Sequence, residues 1–356
     1  MGVKSKIKNA IRQKIINLGK AMNESDSIRD SLAYSILRDL DVACKKDELL
    51  VKFYPKFGAK ISHTKAFATM QKYLELTRPV CVDNLVRIGG ANDGGYVMIN
   101  PRINLLADSN KSGDSGVFGN VCDSSVAKTA NIVSAPPYFT LQNNLIDFSK
   151  SSPKAVSLGV SPYSPWDLDM ANLGYKVLQY DASINKPPYK HPNITFYKKF
   201  VGVKDSDSVI SFERLITQNG LDKNECNVLQ CDIEDCEWEI LEQLDLAKLS
   251  EIFPQILFEF HNCNPESEAL SVPRLAILER IKSHYTPIHT HFNNHGAIFY
   301  SNGYFWGDTV EVSYLRNDLI SSDAVFLKGV GNLNADAPNA KDYPDIPVIF
   351  LSGRLL

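Results

Sequence analysis

The stretch "VLQCDIEDCEWEIL" at 228–241 follows an apolar run with Asp232, Glu234, Asp235, Glu237 and Glu239, five acids within eight residues. "QILFEFH" at 255–261 ends in Glu259 and His261, and "HTHFNNH" at 289–295 supplies His289, His291, Asn293, Asn294 and His295. Carboxylates and imidazoles brought together have two chemical uses. They can hold a divalent cation, or they can supply a general base to a hydroxyl. Asp232, Glu234 and His261 are the expected centre of either arrangement, with His291 and Asn293 on the substrate side. Glu237 and Glu239 read instead as first-turn helix acids favoured by the helix dipole.

The elements that must position these residues follow an α/β grammar. From about residue 154, β-prone runs recur at "KAVSLGV", "YKVLQYD", "ITFYKKFVGV", "NVLQCDI", "QILFEFH", "TPIHTHF" and "TVEVSYL". Helix-like segments at 206–219, 237–250 and 269–284 separate most of them, which predicts a mostly parallel sheet flanked by helices. In such sheets ligands bind beyond the carboxyl ends of the strands, so the polar residue that closes each run is the place to look for chemistry. Alternation along a strand puts Asp232 with Glu234, and Glu259 with His261, on common sides. The first run closes at Gly159, where a missing side chain would let backbone approach a ligand, although no G-x-G-x-x-G follows. The second closes at Asp181, 22 residues later, a placement suited to ribose hydroxyls or to a strand-end turn.

Composition bounds the rest. A hydrophobic content of 44% supports a sizeable core, and a formal net charge of −3 leaves no global footprint for nucleic acid. Seven dispersed cysteines without a Cys-x-x-Cys pair point away from a disulfide framework or zinc knuckle and towards a reducing cytoplasm. No apolar run is long enough to span a bilayer, and the first residues lack the pattern of a secretory signal. Between Lys4 and Lys20, basic residues alternate with Ile7, Ile11, Ile15, Ile16 and Leu18. That spacing predicts a cationic amphipathic helix. It either packs on the body, meets a protein partner or lies on the inner face of a membrane. Further helical patterns at 27–44 and 63–77 extend a helical accessory region to about residue 80.

Several ordered motifs together resemble a known family. "NVLQCDIEDCEWEIL" and "ILFEFH" resemble consecutive segments of FkbM-like S-adenosylmethionine-dependent methyltransferases. "RIGGANDGGYVMI" at 87–99, "HFNNHGAI" and "DTVEVSYLRND" are similar to elements of the branch that includes methyltransferase-like 24 proteins. The resemblance covers residues 81–320, with the catalytic core from about 154 and a C-terminal extension, an edge element or a lid, over 321–356. Two departures stand out. Asp235 occupies the position where relatives usually carry glycine, and "LGVSPYS" differs from the usual Gly-x-Gly-x-Gly loop.

The resemblance implies a Rossmann-like, mostly parallel seven-stranded methyltransferase sheet. It also implies O-methylation of a saccharide or nucleotide-sugar acceptor with S-adenosyl-L-methionine as cofactor. Gly159, Asp181, Asp232 and Asp93 are then expected at the cofactor, and Arg87, Tyr96, His291 and Asn293 at the acceptor. Arg87 would serve an anionic group. His261 is the expected general base; alternatively Asp232, Glu234 and His261 hold a divalent metal that acidifies the hydroxyl. The Asp-Gly-Gly at 93–95 reads as a hairpin turn on its own account. Competing readings are a nucleotide-sugar-binding glycosyltransferase or oxidoreductase, and a noncatalytic interaction protein that retains the fold.

Overall fold

The computed structural model describes residues 61–107, 141, 144–331, 335–341, 345–346 and 348–350. In chain order, β1 (Ile61–His63) and α1 (Phe67–Leu76) precede β2 (Leu85–Ile88) and β3 (Tyr96–Ile99). Then come β4 (Lys154–Leu158), α2 (Pro165–Leu173), β5 (Lys176–Tyr180), β6 (Ile194–Tyr197), β7 (Phe200–Gly202), β8 (Val209–Ser211) and α3 (Phe212–Gln218). The next group is β9 (Val228–Cys231), α4 (Cys236–Gln243), α5 (Leu246–Ile252), β10 (Gln255–Phe260), α6 (Glu268–Lys282) and β11 (Tyr285–Phe292). β12 (Ile298–Ser301), β13 (Tyr304–Gly307), β14 (Val310–Arg316), β15 (Gly329–Val330) and β16 (Ile349–Phe350) follow.

Seven strands form the central sheet in the order β11-β14-β10-β9-β4-β5-β6. β14 runs antiparallel to both its neighbours and every other pairing in the sheet is parallel. The chain is therefore a mixed α/β protein with a mostly parallel sheet, and each β-prone run contributes a strand to it. "ITFYKKFVGV" divides into β6 and β7, and β7 pairs with β8 outside the sheet. The helical pattern at 237–250 also divides. Asp245 stops α4 and caps α5 by accepting from the amides of Ala247 and Lys248 at 3.1 and 3.2 Å.

The two faces of the sheet are packed differently. One face carries Val156, Leu158, Leu229, Ile256, Phe258 and Phe260 against α1, α4, α5 and α6. Its apolar residues run the length of the strands, as expected for parallel strands buried by helices. The opposite face is covered by the β2–β3 hairpin and α2, and it changes character along the strands. Ala155, Val177, Val228 and Leu257 at the amino ends belong to an apolar cluster with Met98, Trp166 and Met170. Two residues further on each strand stand Ser157, Gln179, Gln230 and Glu259, all buried and polar. β14 obeys the same level in reverse, with Leu315 in the apolar cluster and Glu311 at the polar end.

The accessory region needs revision where it is described. The amphipathic segment 4–20 and the pattern at 27–44 lie outside the described residues. The pattern at 63–77 forms α1, but β1 precedes it and pairs with β12 in a separate three-stranded sheet. Tyr73 of α1 stacks on Trp306 at 4.8 Å between ring centroids, so this part belongs to the main core. A buried aromatic of this kind contributes roughly 1.5–3 kcal/mol. The C-terminal extension packs as well: Ile346, Val348 and Phe350 are buried in the same core. Among the described residues no helix is long and apolar enough to cross a membrane.

Candidate functional site

β9 and β10 lie side by side with Cys231 opposite Phe258, so the residues immediately beyond them, Asp232 and Glu259, emerge together. His261 follows at the end of β10. Its Nε2 lies 3.6 Å from Asp232 Oδ1 and 3.5 Å from both Glu234 Oε2 and Glu259 Oε1. Its Nδ1 lies 3.2 Å from Glu237 Oε1, which also accepts from the His261 amide at 2.7 Å. Ligand atoms of Asp232, Glu234 and His261 all fall within 4.8 Å of one another. The alternation that paired Asp232 with Glu234 does not persist, because β9 ends at Cys231. Glu234 instead reaches the imidazole through a turn in which Glu234 and Asp235 have φ of 54° and 85°.

That turn explains Asp235. A left-handed backbone favours glycine, but aspartate tolerates it better than most residues. Its carboxylate is held at 2.5 Å by Arg274 of α6, whose guanidinium also lies 5.4 Å from the Trp238 ring. Asp235 is thus an acid anchored in a left-handed turn.

A second row of polar residues backs the cluster. Register places Glu259, Glu311 and His291 side by side across β10, β14 and β11. His291 Nδ1 lies 3.1 Å from Glu311 and its Nε2 2.8 Å from Asp345. Both ring nitrogens are thus engaged, and with 1% exposure His291 is an interior residue, not the acceptor contact expected. Asn293 is also interior and donates to Glu259 at 2.9 Å. Asn339 donates to Glu311 at 2.6 Å and to Asp93 at 3.3 Å.

Electrostatics follow from this crowding. Burial and the neighbouring Glu259 push the Asp232 carboxyl well above its usual range, against the pull of His261. Burial likewise raises Glu259 to about 7. Burial would lower His261, but the Glu237 and Glu259 carboxylates outweigh it and raise the ring to about 11. The surrounding carboxylates thus favour the protonated imidazole, opposite to what burial alone would do.

The remaining expected residues are placed as follows. Tyr96 is buried under the cluster, with its hydroxyl accepting from Gln230 at 3.1 Å, so it forms floor rather than acceptor contact. Arg87 uses Nε and Nη2 to bind the carbonyls of Gly90 and Asn92 at 2.6 and 3.1 Å, bracing the hairpin loop. Its Nη1 is buried and unpaired. Asp181 closes β5 as a turn residue: Oδ2 accepts from the Val160 amide at 2.9 Å and Oδ1 from the Ser183 amide and hydroxyl, both at 2.6 Å. Gly159 has φ of 82°, and a Cβ there would lie 1.5 Å from the Asp232 carbonyl oxygen. What approaches this glycine is the end of β9, not open ligand space.

Glu237 and Glu311 stand out among the residues of the site that were not anticipated. Glu237, expected as a dipole-favoured helix acid, is fully buried and orients His261. Glu311 lies inside the apolar run "TVEVSYL", and a carboxylate in a strand that must be buried was the available signal.

No family model matches the chain, and no curated protein matches it.

Proposed function

We propose that the protein is an S-adenosylmethionine-dependent O-methyltransferase acting on a hydroxyl of a saccharide or sugar-containing acceptor. The observation that carries this reading is the strand order. Numbered along the central sheet's own strands it is 3-2-1-4-5-7-6, with the seventh antiparallel. A dinucleotide-binding sheet has the order 3-2-1-4-5-6. Inserting an antiparallel strand between the fifth and sixth supports the Rossmann-like methyltransferase sheet implied by the sequence motifs.

The residues fit such a ligand in their placement. The order reverses between β4 and β9, and Asp181 and Asp232 stand at the carboxyl ends of the strands around that point, where ligands of open α/β sheets bind, with Gly159 packed against Asp232. Asp181 Oδ2 accepts one hydrogen bond within the protein, leaving acceptor capacity towards a hydroxyl. When bound, the cofactor supplies an electrophilic methyl group. The chain's task is to orient an acceptor oxygen and assist loss of its proton. Asp232 and Glu234, the partly exposed members of the cluster, are the groups able to accept hydrogen bonds from an incoming hydroxyl. His261 stands behind them, oriented by the buried Glu237.

Calorimetric titration of the full chain with S-adenosylmethionine, S-adenosylhomocysteine, NAD and UDP-glucose tests the reading. Selective binding of the two adenosyl ligands is expected. Binding of NAD or UDP-glucose alone overturns it.

A further inference from the structure

We infer that Asp232, Glu234 and His261 form a binding site for one divalent cation, for which Mn²⁺ is a suitable probe. Three independent features of the cluster lead there. The first is distance. Of the proposed donors, Asp232 Oδ1 and Glu234 Oε2 stand 3.6 and 3.5 Å from Nε2, beyond the usual N–H···O range of about 2.7–3.2 Å, and all three donor atoms lie within 4.8 Å of one another. An ion with ligand bonds of about 2.0–2.2 Å holds neighbouring donor atoms roughly 3.0–3.6 Å apart, so the spacing suits donors sharing an ion.

The second is the support behind the histidine. Metal-ligating histidines almost always present their other ring nitrogen to a carboxylate or carbonyl, which fixes the ring and its tautomer. Glu237 does this from a fully buried position, with 3.2 Å between Oε1 and Nδ1, and its second oxygen has no partner. The third is charge. Asp232, Glu234, Glu237 and Glu259 converge on one imidazole, and among the described residues no lysine or arginine forms an ion pair with any of the four. Glu237 and Glu259 are buried and Asp232 is partly so, and carboxylates crowded around one site are stabilised by a compensating cation.

Two carboxylates and one imidazole make a mixed oxygen and nitrogen donor set that Mn²⁺ accepts, with fewer oxygens than the six to eight that Ca²⁺ takes. A hydroxyl bound at an open position of the ion would be acidified by it. That role rests on the methyltransferase reading; the cation site does not.

The test is titration of chelator-treated full chain with Mn²⁺ alone, followed by electron paramagnetic resonance. One ion per chain is expected, with nitrogen modulation of the bound signal from His261. Glu234 is 87% exposed at its side chain, so Glu234→Gln should keep the fold while weakening binding tenfold or more. Glu239→Gln, an exposed acid of α4 outside the cluster, should leave affinity unchanged. Absence of stoichiometric binding, equal affinity in Glu234→Gln, or bound Mn²⁺ without nitrogen modulation overturns the proposal. No adenosyl ligand is present, so this site and the methyltransferase reading can fail separately.

Discussion

Gly159 and Asp232 are in such close contact that a methyl group on the glycine would overlap the aspartate carbonyl oxygen. The Asp232 amide donates to Leu158 at 2.9 Å in the same place, so the end of β4 sets the height at which Asp232 leaves β9. Two expected ligand residues are thereby parts of one strand junction.

Gly159→Ala should therefore destabilise the protein by about 3 kcal/mol, combining a left-handed backbone penalty with overpacking against backbone that has no flexible end to move. Guanidinium unfolding with an unchanged slope would measure it. A loss under about 1 kcal/mol would mean the junction is looser than described.

Asp235→Gly sets two effects against each other. Glycine relieves the backbone at φ 85°, but it strips the carboxylate from Arg274, which is nearly buried and has Nε and Nη1 already unpaired. The stranded guanidinium should win, for a net loss of about 1–2 kcal/mol. Arg274→Met in the same chain should recover most of it. A double-mutant cycle with no coupling would show that Asp235 and Arg274 act independently.

Asp167 gives a pH signature away from the cluster. It is 1% exposed, its Oδ2 lies 2.5 Å from Gln179 Nε2, and burial raises its carboxyl from 3.8 to about 6. A raised folded value means that the folded state binds the proton more tightly. The stabilising contribution is complete below pH about 4 and disappears as pH rises through about 6. Two units correspond to about 3 kcal/mol. Asp167→Asn should thus become more stable relative to the parent by about that amount between pH 4 and pH 7. Parallel urea curves across the range would refute the assignment.

Glu237→Gln keeps an acceptor for the His261 amide and removes the charge behind the ring. Loss of this kind of support typically costs 10–100-fold in metal affinity. Mn²⁺ titration should show that range with one ion still bound per chain, and unchanged affinity would assign Glu237 a purely structural part.

The sequence by itself determined the strands, their polar ends and the identity of the acids. Period-two alternation and apolar runs report local burial, which is why every β-prone run from 154 onward entered the sheet. Asp232, Glu234 and His261 were visible for the same reason: polar residues close runs that must otherwise be buried. Only the tertiary structure decided which polar ends meet. Strand order, set by crossovers rather than by any local preference, placed β9 beside β10 and inserted β14 between β10 and β11. That insertion turned Glu311 and His291 into an interior pair and enclosed Asn293, although the sequence reading places His291 and Asn293 on the substrate side. Glu237 depended on the same cause, since a first-turn helix acid becomes a buried histidine partner only when another strand ends within 3 Å of it. Partner choice among buried charges is a long-range property, because it is the surrounding packing that removes water and leaves one neighbour to replace it.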